Sequence, residues 1–525
     1  MTFKFIPALG LGLYSIAGFA GTIASCPTVP VAADLVNRCT PEVTFYMGGT
    51  SAQLPALIKA LTTPGFIFDE SRPFVKVRDV ALSLSGSGSY TTALPPGVDG
   101  NTIAFIGYGA FGTGEAAGKR VAIIYNQANG SFAAVNQMTQ PSAALEENTT
   151  LRLTTRDQQK AGTGKGVEAC PPSSVVTDEV LAQPGVRLGY KTFLCDTEDP
   201  FALGWGGDKS KAMALALTDV RPSEAVPDVV SKWSNKTFPA VPTAMQGFGV
   251  IVSPALYTKL IAKEVAAGNL PSSCLSSETV GGSTDTIHAF CQPNLPTADY
   301  SGLVTGSVTT ADGFLATSGD SSRIVLARLA DISGTQAASN IFFANQENTA
   351  PKKAKRATDA APTVVAGVPG TPGLSKAYGD LNVFEKNTAE EVIAAVSGAA
   401  VGSYGIGVVS LVNRYNTDKA KSDLKGALFV KLGGISPNMV EIAGTTVVDA
   451  TARDAIIAGY PMTYAMQAIT SAKLAGAHAT LAAKLITELQ NPVADVPGIA
   501  NIGSSNTARN TPFVRANGNY SPLSR

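Results

Sequence analysis

Strand-like segments that alternate with helix-like segments predict an α/β fold, and the length of the chain predicts more than one lobe. Apolar runs typical of buried strands lie at 43–47, 103–106, 120–125, 247–252, 323–328, 404–411 and 427–432, and helical spacing follows at 54–61 and 255–266. Such alternation favours a sheet covered by helices. Because 525 residues exceed one hydrophobic core, we expect two or more lobes, which leaves room for a sizeable cleft between them. An alanine-rich stretch, 465–489, predicts further helices.

The N-terminus predicts export. Lys4 precedes a mostly apolar run, 5–20, which ends in small residues, and this is the pattern of a secretory signal peptide over residues 1–25. The apolar run is shorter than the roughly 20 residues that a membrane-spanning helix needs. We therefore expect a periplasmic or secreted protein. Residues 23–26 also resemble a bacterial lipoprotein cleavage site, which leaves a lipid anchor at Cys26 as the alternative.

The six cysteines fall into three local pairs. These are Cys26 with Cys39, Cys170 with Cys195, and Cys274 with Cys291. An even number in an exported chain favours disulfides. Zinc is the rival interpretation, but the sequence has no CxxC motif and only two histidines. We therefore expect no metal site and no cofactor.

The overall charge excludes some classes of partner. Lys and Arg together number 40, as do Asp and Glu, and charged residues make up only 15% of the chain. A chain without a broad basic face is a poor candidate for binding nucleic acid. We expect a monomer whose partner is a small molecule.

One motif predicts an anion site. Arg328 ends an apolar strand, and Ser333, Gly334 and Thr335 follow at the apparent start of a helix. Hydroxyls, free N–H groups of a first helical turn and a guanidinium can all point at one anion. The alternative is that the serine and threonine only cap an ordinary helix while Arg328 pairs with Asp331.

Other turns place hydroxyls or an acid after strands. Thr50 and Ser51 follow the first strand, Thr113 lies in a glycine-rich turn, and Ser131 stands at the start of a predicted helix. Asp219 follows the apolar segment 212–218. Taken singly, such turns are weak indications of a ligand loop.

Taken in order, these motifs resemble those of the periplasmic phosphate-binding proteins of ABC transporters and, more broadly, the type II periplasmic binding protein fold. The corresponding pieces are 48–52, either 112–114 or 129–131, Thr218 with Asp219, and finally Arg328, Asp331 and 333–335. Downstream, 403–409 resembles the family's strand that returns to the first lobe, and 459–464 its late Tyr-Pro segment.

The resemblance implies two lobes with a ligand cleft between them and indicates how a ligand is bound there. Its implied ligand-binding residues are Thr50, Ser51, Thr113 or Ser131, and Asp219 from the first lobe, with Arg328, Ser333, Gly334 and Thr335 from the second. In that family, an aspartate accepts a hydrogen bond from protonated phosphate. Asp219 would then distinguish phosphate from sulfate, because a carboxylate accepts from an O–H group but repels a fully ionised anion.

The implied layout is discontinuous. One lobe comprises 41–246 and 408–500, the other comprises 247–407, and 501–525 forms a tail. Segments 138–200 and 345–380 are expected to be long insertions.

The implied function is that of an exported solute-binding protein, not an enzyme, that captures phosphate or a similar oxyanion for an ABC importer. A surface or adhesion protein that retains the fold is the main alternative. A phosphate-ester hydrolase is less favoured. The two histidines, His288 and His478, are isolated in the sequence, and there is no GxSxG motif, so no nucleophile and base are paired.

Overall fold

The computed structural model describes the parts of the chain that form the sheet and its flanking helices. These residues are 26–37, 39, 41–79, 82–84, 90–92, 102–127, 130–138, 175–177, 191–195, 213–225, 240–277, 289–344, 375–386, 388–413, 422–442, 445–448, 459–472, 474–490 and 498–501. The predicted signal peptide, nearly all of the C-terminal tail, Cys170 and most of both predicted insertions lie outside them.

A mixed sheet of 15 strands forms the centre of the molecule, which confirms the predicted α/β class. Its strands are β1 Val43–Gly49, β2 Val75–Asp79, β5 Thr102–Tyr108, β6 Arg120–Asn126, β7 Val175–Thr177, β8 Lys191–Cys195, β9 Leu215–Thr218, β10 Ala240–Val252, β12 Arg323–Leu329, β13 Ser375–Tyr378, β14 Leu381–Lys386, β15 Ser403–Ser410, β16 Leu428–Phe429, β20 Thr463–Thr470 and β21 Ile499–Asn501. Two-stranded sheets are formed by β3 Leu82–Leu84 with β4 Tyr90–Thr92, β11 Asn294–Leu295 with β17 Lys431–Leu432, and β18 Met439–Ile442 with β19 Thr445–Val448.

The α-helices cover the sheet. In the described residues they are α1 Ala32–Asn37, α2 Leu54–Thr62, α3 Ser131–Met138, α4 Pro254–Ala266, α5 Cys274–Ser277, α6 Thr297–Thr305, α7 Ala311–Leu315, α8 Gly334–Ser339, α9 Ala389–Ser397 and α10 Gly476–Gln490. None of the helices in the described part is long and apolar enough to cross a membrane.

The sheet is ordered β13-β14-β12-β15-β10-β20-β9-β1-β6-β5-β2-β8-β7, and β10 and β20 join its two halves. In one half β9, β1 and β6 are parallel, and in the other β14, β12 and β15 are parallel. Strand β10 is antiparallel to both β15 and β20, and β20 is antiparallel to β9. Because β10 pairs with β20 between 240 and 247 but with β15 between 248 and 252, the two halves follow each other along β10, and the carboxyl ends of β9 and β12 point towards each other. Loops that leave these ends therefore meet between the halves.

The described residues form separate buried cores, of which the one around β10, β12 and β15 also includes Phe132 and Ala216 of the first half. Phe45, Leu57 and Phe105 belong to the core of the half that contains β1, whereas Leu256 and Ile406 belong to the core around β10, β12 and β15. Burial of these apolar side chains is the main stabilising contribution to each half.

Strand β10 changes its partner near the predicted boundary between 246 and 247. Gly247 pairs with Thr463 of β20, while the next residue, Phe248, pairs with Ser410 of β15. The boundary thus falls within a continuous strand, and the second predicted boundary, at 407/408, falls within β15. The division into lobes itself stays a prediction.

Two predicted elements differ from the structure. The alanine-rich stretch 465–489 is not helical throughout, because Thr463–Thr470 is a strand and the helix begins at Gly476. Pairing with β10 on one side and β9 on the other decides this segment against its helix propensity. The predicted strand at 427–432 is divided between β16 and β17, which pair with different partners.

Two of the three predicted disulfides are confirmed. Cys26 is bonded to Cys39, and Cys274 to Cys291. The sulfur of Cys26 cannot carry a thioether-linked lipid while it forms this disulfide, so the pairing and the lipid anchor exclude each other.

Candidate functional site

Three adjacent parallel strands bring polar side chains to one edge of the first half. Thr50 follows β1, Asp219 follows β9, and Ser131 begins α3 after β6. The backbone N–H of Thr50 donates to the carbonyl oxygen of Leu217 at 3.1 Å, which ties the ends of β1 and β9 together. Such carboxyl ends are the usual place for a ligand in a parallel sheet.

The other half brings Thr335 to the same place. Ser333 caps α8, since its Oγ accepts the N–H of Gln336 at 3.4 Å, and Thr335 lies in the first turn of that helix. The hydroxyl of Thr335 donates to Oδ2 of Asp219 at 3.2 Å. Thr335 and Asp219 therefore connect the two halves directly.

A backbone hydrogen bond and a close approach at Gly334 also join the two halves. The N–H of Phe132, in the first half, donates to the carbonyl oxygen of Ile332, in the second, at 3.1 Å. Within the first half, the N–H of Asp219 donates to Oγ of Ser131 at 3.3 Å. A Cβ atom on Gly334 would lie 2.2 Å from Oγ of Ser131 and 2.8 Å from Cβ of Asp219. Only glycine permits this approach.

Asp219 is the electrostatic centre of the cluster. Its side chain is fully buried, and in the described part of the chain its Oδ1 has no hydrogen-bond partner. Burial raises the pKa of Asp219 from 3.8 to about 6, although hydrogen bonding by the hydroxyls of Thr50, Thr335 and Ser131 and by the N–H of Thr335 opposes this. The carboxyl group consequently titrates near neutral pH.

Tyr125 is hydrogen-bonded to the residue that follows β1. Its hydroxyl donates to the carbonyl oxygen of Thr50, and its side chain is fully buried. Burial raises the pKa of Tyr125 well above its ordinary value, and the neighbouring charge of Asp219 raises it further. Tyr125 thus remains a neutral hydrogen-bond donor.

Arg328 is nearly buried and is bonded within its own segment. Its Nε donates to the carbonyl oxygen of Leu329 at 3.1 Å, and its Nη2 donates to Oδ1 of Asp331. The Ser333 cap and the Arg328–Asp331 ion pair are the contacts of the alternative interpretation, in which the motif only ends a strand and starts a helix. The contact between Thr335 and Asp219 goes beyond that interpretation.

Two predicted residues lie apart from the cluster. Thr113 is buried in its own turn, where its hydroxyl donates to the carbonyl oxygen of Ala110 at 2.7 Å. That turn follows β5, which is antiparallel to β6 and so ends at the opposite edge from Ser131. Of the two candidates for the second turn, Ser131 is the one beside Asp219. Ser51 adjoins Thr50, but its side chain is exposed.

Gln53 is a cluster residue that the sequence did not single out. It is fully buried, and its Nε2 donates to the carbonyl oxygen of Thr218 at 2.9 Å, next to Asp219. A polar side chain just before the apolar helix 54–61 was the available signal.

No family model and no curated protein matches the sequence. Among solved structures, the chain is similar to an ABC-type phosphate transport receptor from Vibrio cholerae, with 13% identity, a TM-score of 0.27, and coverage of 53% of this chain and 79% of that one. It is also similar to a phosphate-binding protein from Stenotrophomonas maltophilia, with 13% identity, a TM-score of 0.27, and coverage of 55% and 72%. A third similar structure is a putative phosphate ABC transporter substrate-binding protein with bound phosphate from Clostridium perfringens, with 12% identity, a TM-score of 0.25, and coverage of 52% and 72%. Likenesses this weak assign neither a family nor a ligand.

Proposed function

We propose that the protein is an exported solute-binding protein of the periplasmic binding protein type, which captures phosphate or a similar oxyanion between its two halves. The observation that carries this proposal is the buried carboxyl group of Asp219. It lies among hydroxyls from both halves, and its Oδ1 lacks a donor in the described part of the chain. A buried acceptor without a partner is costly, so a bound donor at this position would be stabilised.

The chemistry of the cluster suits a protonated oxyanion. The hydroxyls of Thr50, Ser131 and Thr335 can donate to ligand oxygens, while Asp219 can accept from a ligand O–H group. Sulfate carries no proton at neutral pH and would instead be repelled by the carboxylate. The site would therefore prefer phosphate to sulfate.

Entry of a ligand requires the halves to separate. In the closed arrangement, Thr335 already donates to Asp219, and Gly334 lies against Ser131. Opening about the β10 and β20 connections would expose these groups, and closure around the anion would bury it among fixed donors. Arg328 would add positive charge at the same edge, reduced by its ion pair with Asp331.

Delivery of the ligand to an ABC importer, and a monomeric state, belong to the same proposal. They rest on the order of motifs in the sequence and on the disulfides, which fit an exported protein.

A surface or adhesion protein that retains the fold is the second candidate. The observation in its favour is that Arg328 and Thr335 find partners within the protein, as a site that no longer binds a ligand would also allow. A phosphate-ester hydrolase is not part of this proposal.

Isothermal titration of ligand-stripped protein with phosphate and with sulfate tests the proposal. We expect phosphate to bind more tightly than sulfate, and Arg328→Ala to weaken phosphate binding. Arg323→Ala is the matched control, because Arg323 is exposed at the opposite end of the same strand. If neither anion binds to the wild-type protein, the second candidate is favoured.

A further inference from the structure

Gln53 presents a second buried acceptor beside Asp219. Its Nε2 donates to the carbonyl oxygen of Thr218, whereas its Oε1 has no hydrogen-bond partner in the described part of the chain. The amide cannot be reversed to cure this, since Oε1 would then face the Thr218 carbonyl oxygen. The orientation of the side chain is therefore fixed by its neighbour.

The position of this acceptor relates it to the ligand cluster. Gln53 ends the short turn Ser51–Gln53 that Thr50 caps, and Thr218 directly precedes Asp219. Because Oε1 and Nε2 are bonded to the same carbon atom, Oε1 also lies close to the Thr218–Asp219 junction. Oε1 of Gln53 and Oδ1 of Asp219 are thus two buried acceptor atoms, beside this junction, without a donor in the described residues. The hydroxyls of the cluster can donate to the other oxygens of a ligand.

We propose that Gln53 is a specificity-determining residue and that the site selects an oxyanion carrying two hydroxyl groups. One hydroxyl of the ligand donates to Asp219 and the other to Gln53. Singly charged phosphate and arsenate meet this requirement, whereas an anion with one hydroxyl leaves one acceptor unpaired. This inference rests on the proposed function, which supplies the anion, and adds the number of donors that the anion must carry.

Phosphite is the probe that isolates the second hydroxyl. It has a P–H bond where phosphate has a P–O–H group, so the singly charged forms carry one and two hydroxyls, respectively. Because phosphite is no larger than phosphate, a weaker affinity does not arise from a steric clash. Titrations at about pH 6.5 keep much of both anions singly charged and lie above the pKa of about 6 of Asp219.

Gln53→Leu removes the acceptor, and Gln246→Leu is its matched control. Gln246 is also fully buried, with an Oε1 that has no partner in the described residues, but its Nε2 bonds to Ser410 of β15. We expect the wild-type protein and Gln246→Leu to prefer phosphate to phosphite by about tenfold or more, and Gln53→Leu to lose most of that preference. Gln53→Met provides a second, unbranched replacement if the leucine variant fails to fold.

The outcomes separate this inference from the proposed function. If the wild-type protein binds phosphate but Gln53→Leu or Gln53→Met keeps the full preference over phosphite, Gln53 does not read the second hydroxyl and the inference is overturned. The proposed function survives that result. If the wild-type protein binds no oxyanion, the proposed function fails and the inference fails with it.

Discussion

Replacing Asp219 with asparagine should stabilise the ligand-free protein at neutral pH. Burial raises the pKa of Asp219 from 3.8 to about 6, so the ionised carboxylate disfavours the folded state. This difference in pKa corresponds to about 3 kcal/mol once the group is ionised in both states. Asparagine has the same shape and no charge. We therefore expect Asp219→Asn to raise the free energy of unfolding by up to about 3 kcal/mol at about pH 7.5.

The sign of the pH dependence follows from the same shift. A raised pKa means that the folded state binds the proton more tightly, so the wild-type protein gains stability as the pH falls through 6 towards 3.8. Between about pH 7.5 and pH 5, this gain is about 1.4 kcal/mol. The advantage of Asp219→Asn should shrink by that amount over the same interval.

Urea unfolding of both proteins at the two pH values measures this difference. Asp320→Asn is a control of opposite sign, because hydrogen bonds from Ser322 and Tyr404 lower the pKa of Asp320 to about 2. Asp320→Asn should lower the free energy of unfolding at both pH values. The reason is that the wild-type Asp320 carboxylate is ionised in the folded and in the unfolded protein at about pH 7.5 and at about pH 5. Equal stability of Asp219→Asn and wild type, with the same pH slope, would refute the buried, titrating carboxyl group.

Two further predictions concern the contact between the halves and the disulfide. Gly334→Ala would place a methyl group against Ser131 and should weaken phosphate binding tenfold or more, as measured by titration. In the control Gly112→Ala, the new methyl group meets only the end of a flexible lysine, and unchanged affinity is expected; equal losses in both variants would contradict the proposed close approach. Replacing Cys274 and Cys291 together with serine should lower the free energy of unfolding by about 3 kcal/mol in the chain-entropy account, and a loss below about 1 kcal/mol in urea unfolding would contradict it.

Local sequence patterns predicted the strands and the turns that follow them. Apolar runs before Thr50, Asp219 and Arg328 correspond to β1, β9 and β12, because a buried strand requires such a run wherever it lies in the sheet. The cysteine pairs in the described residues were also predictable, since each closes a short loop.

Contacts between distant segments were harder to predict. The stretch 463–470 is a strand because it pairs with two neighbours, and nothing in its own composition shows this. Likewise, Thr113 and Ser131 are equally plausible hydroxyls in the sequence, and only the antiparallel direction of β5 separates them. Gln53 was missed because its place in the cluster depends on a carbonyl group 165 residues away in the chain.

The position of a bound anion tests the central claim most directly. Arsenate has the shape and hydroxyl groups of phosphate, and its arsenic atom can be located by anomalous scattering in crystals of the protein grown with it. We predict an arsenic atom enclosed by Asp219, Ser131 and Thr335, with its oxygens within hydrogen-bonding distance of their side chains. Ordered arsenate elsewhere, or none, with the Thr335–Asp219 contact unchanged, would contradict the proposal that this cluster binds an oxyanion.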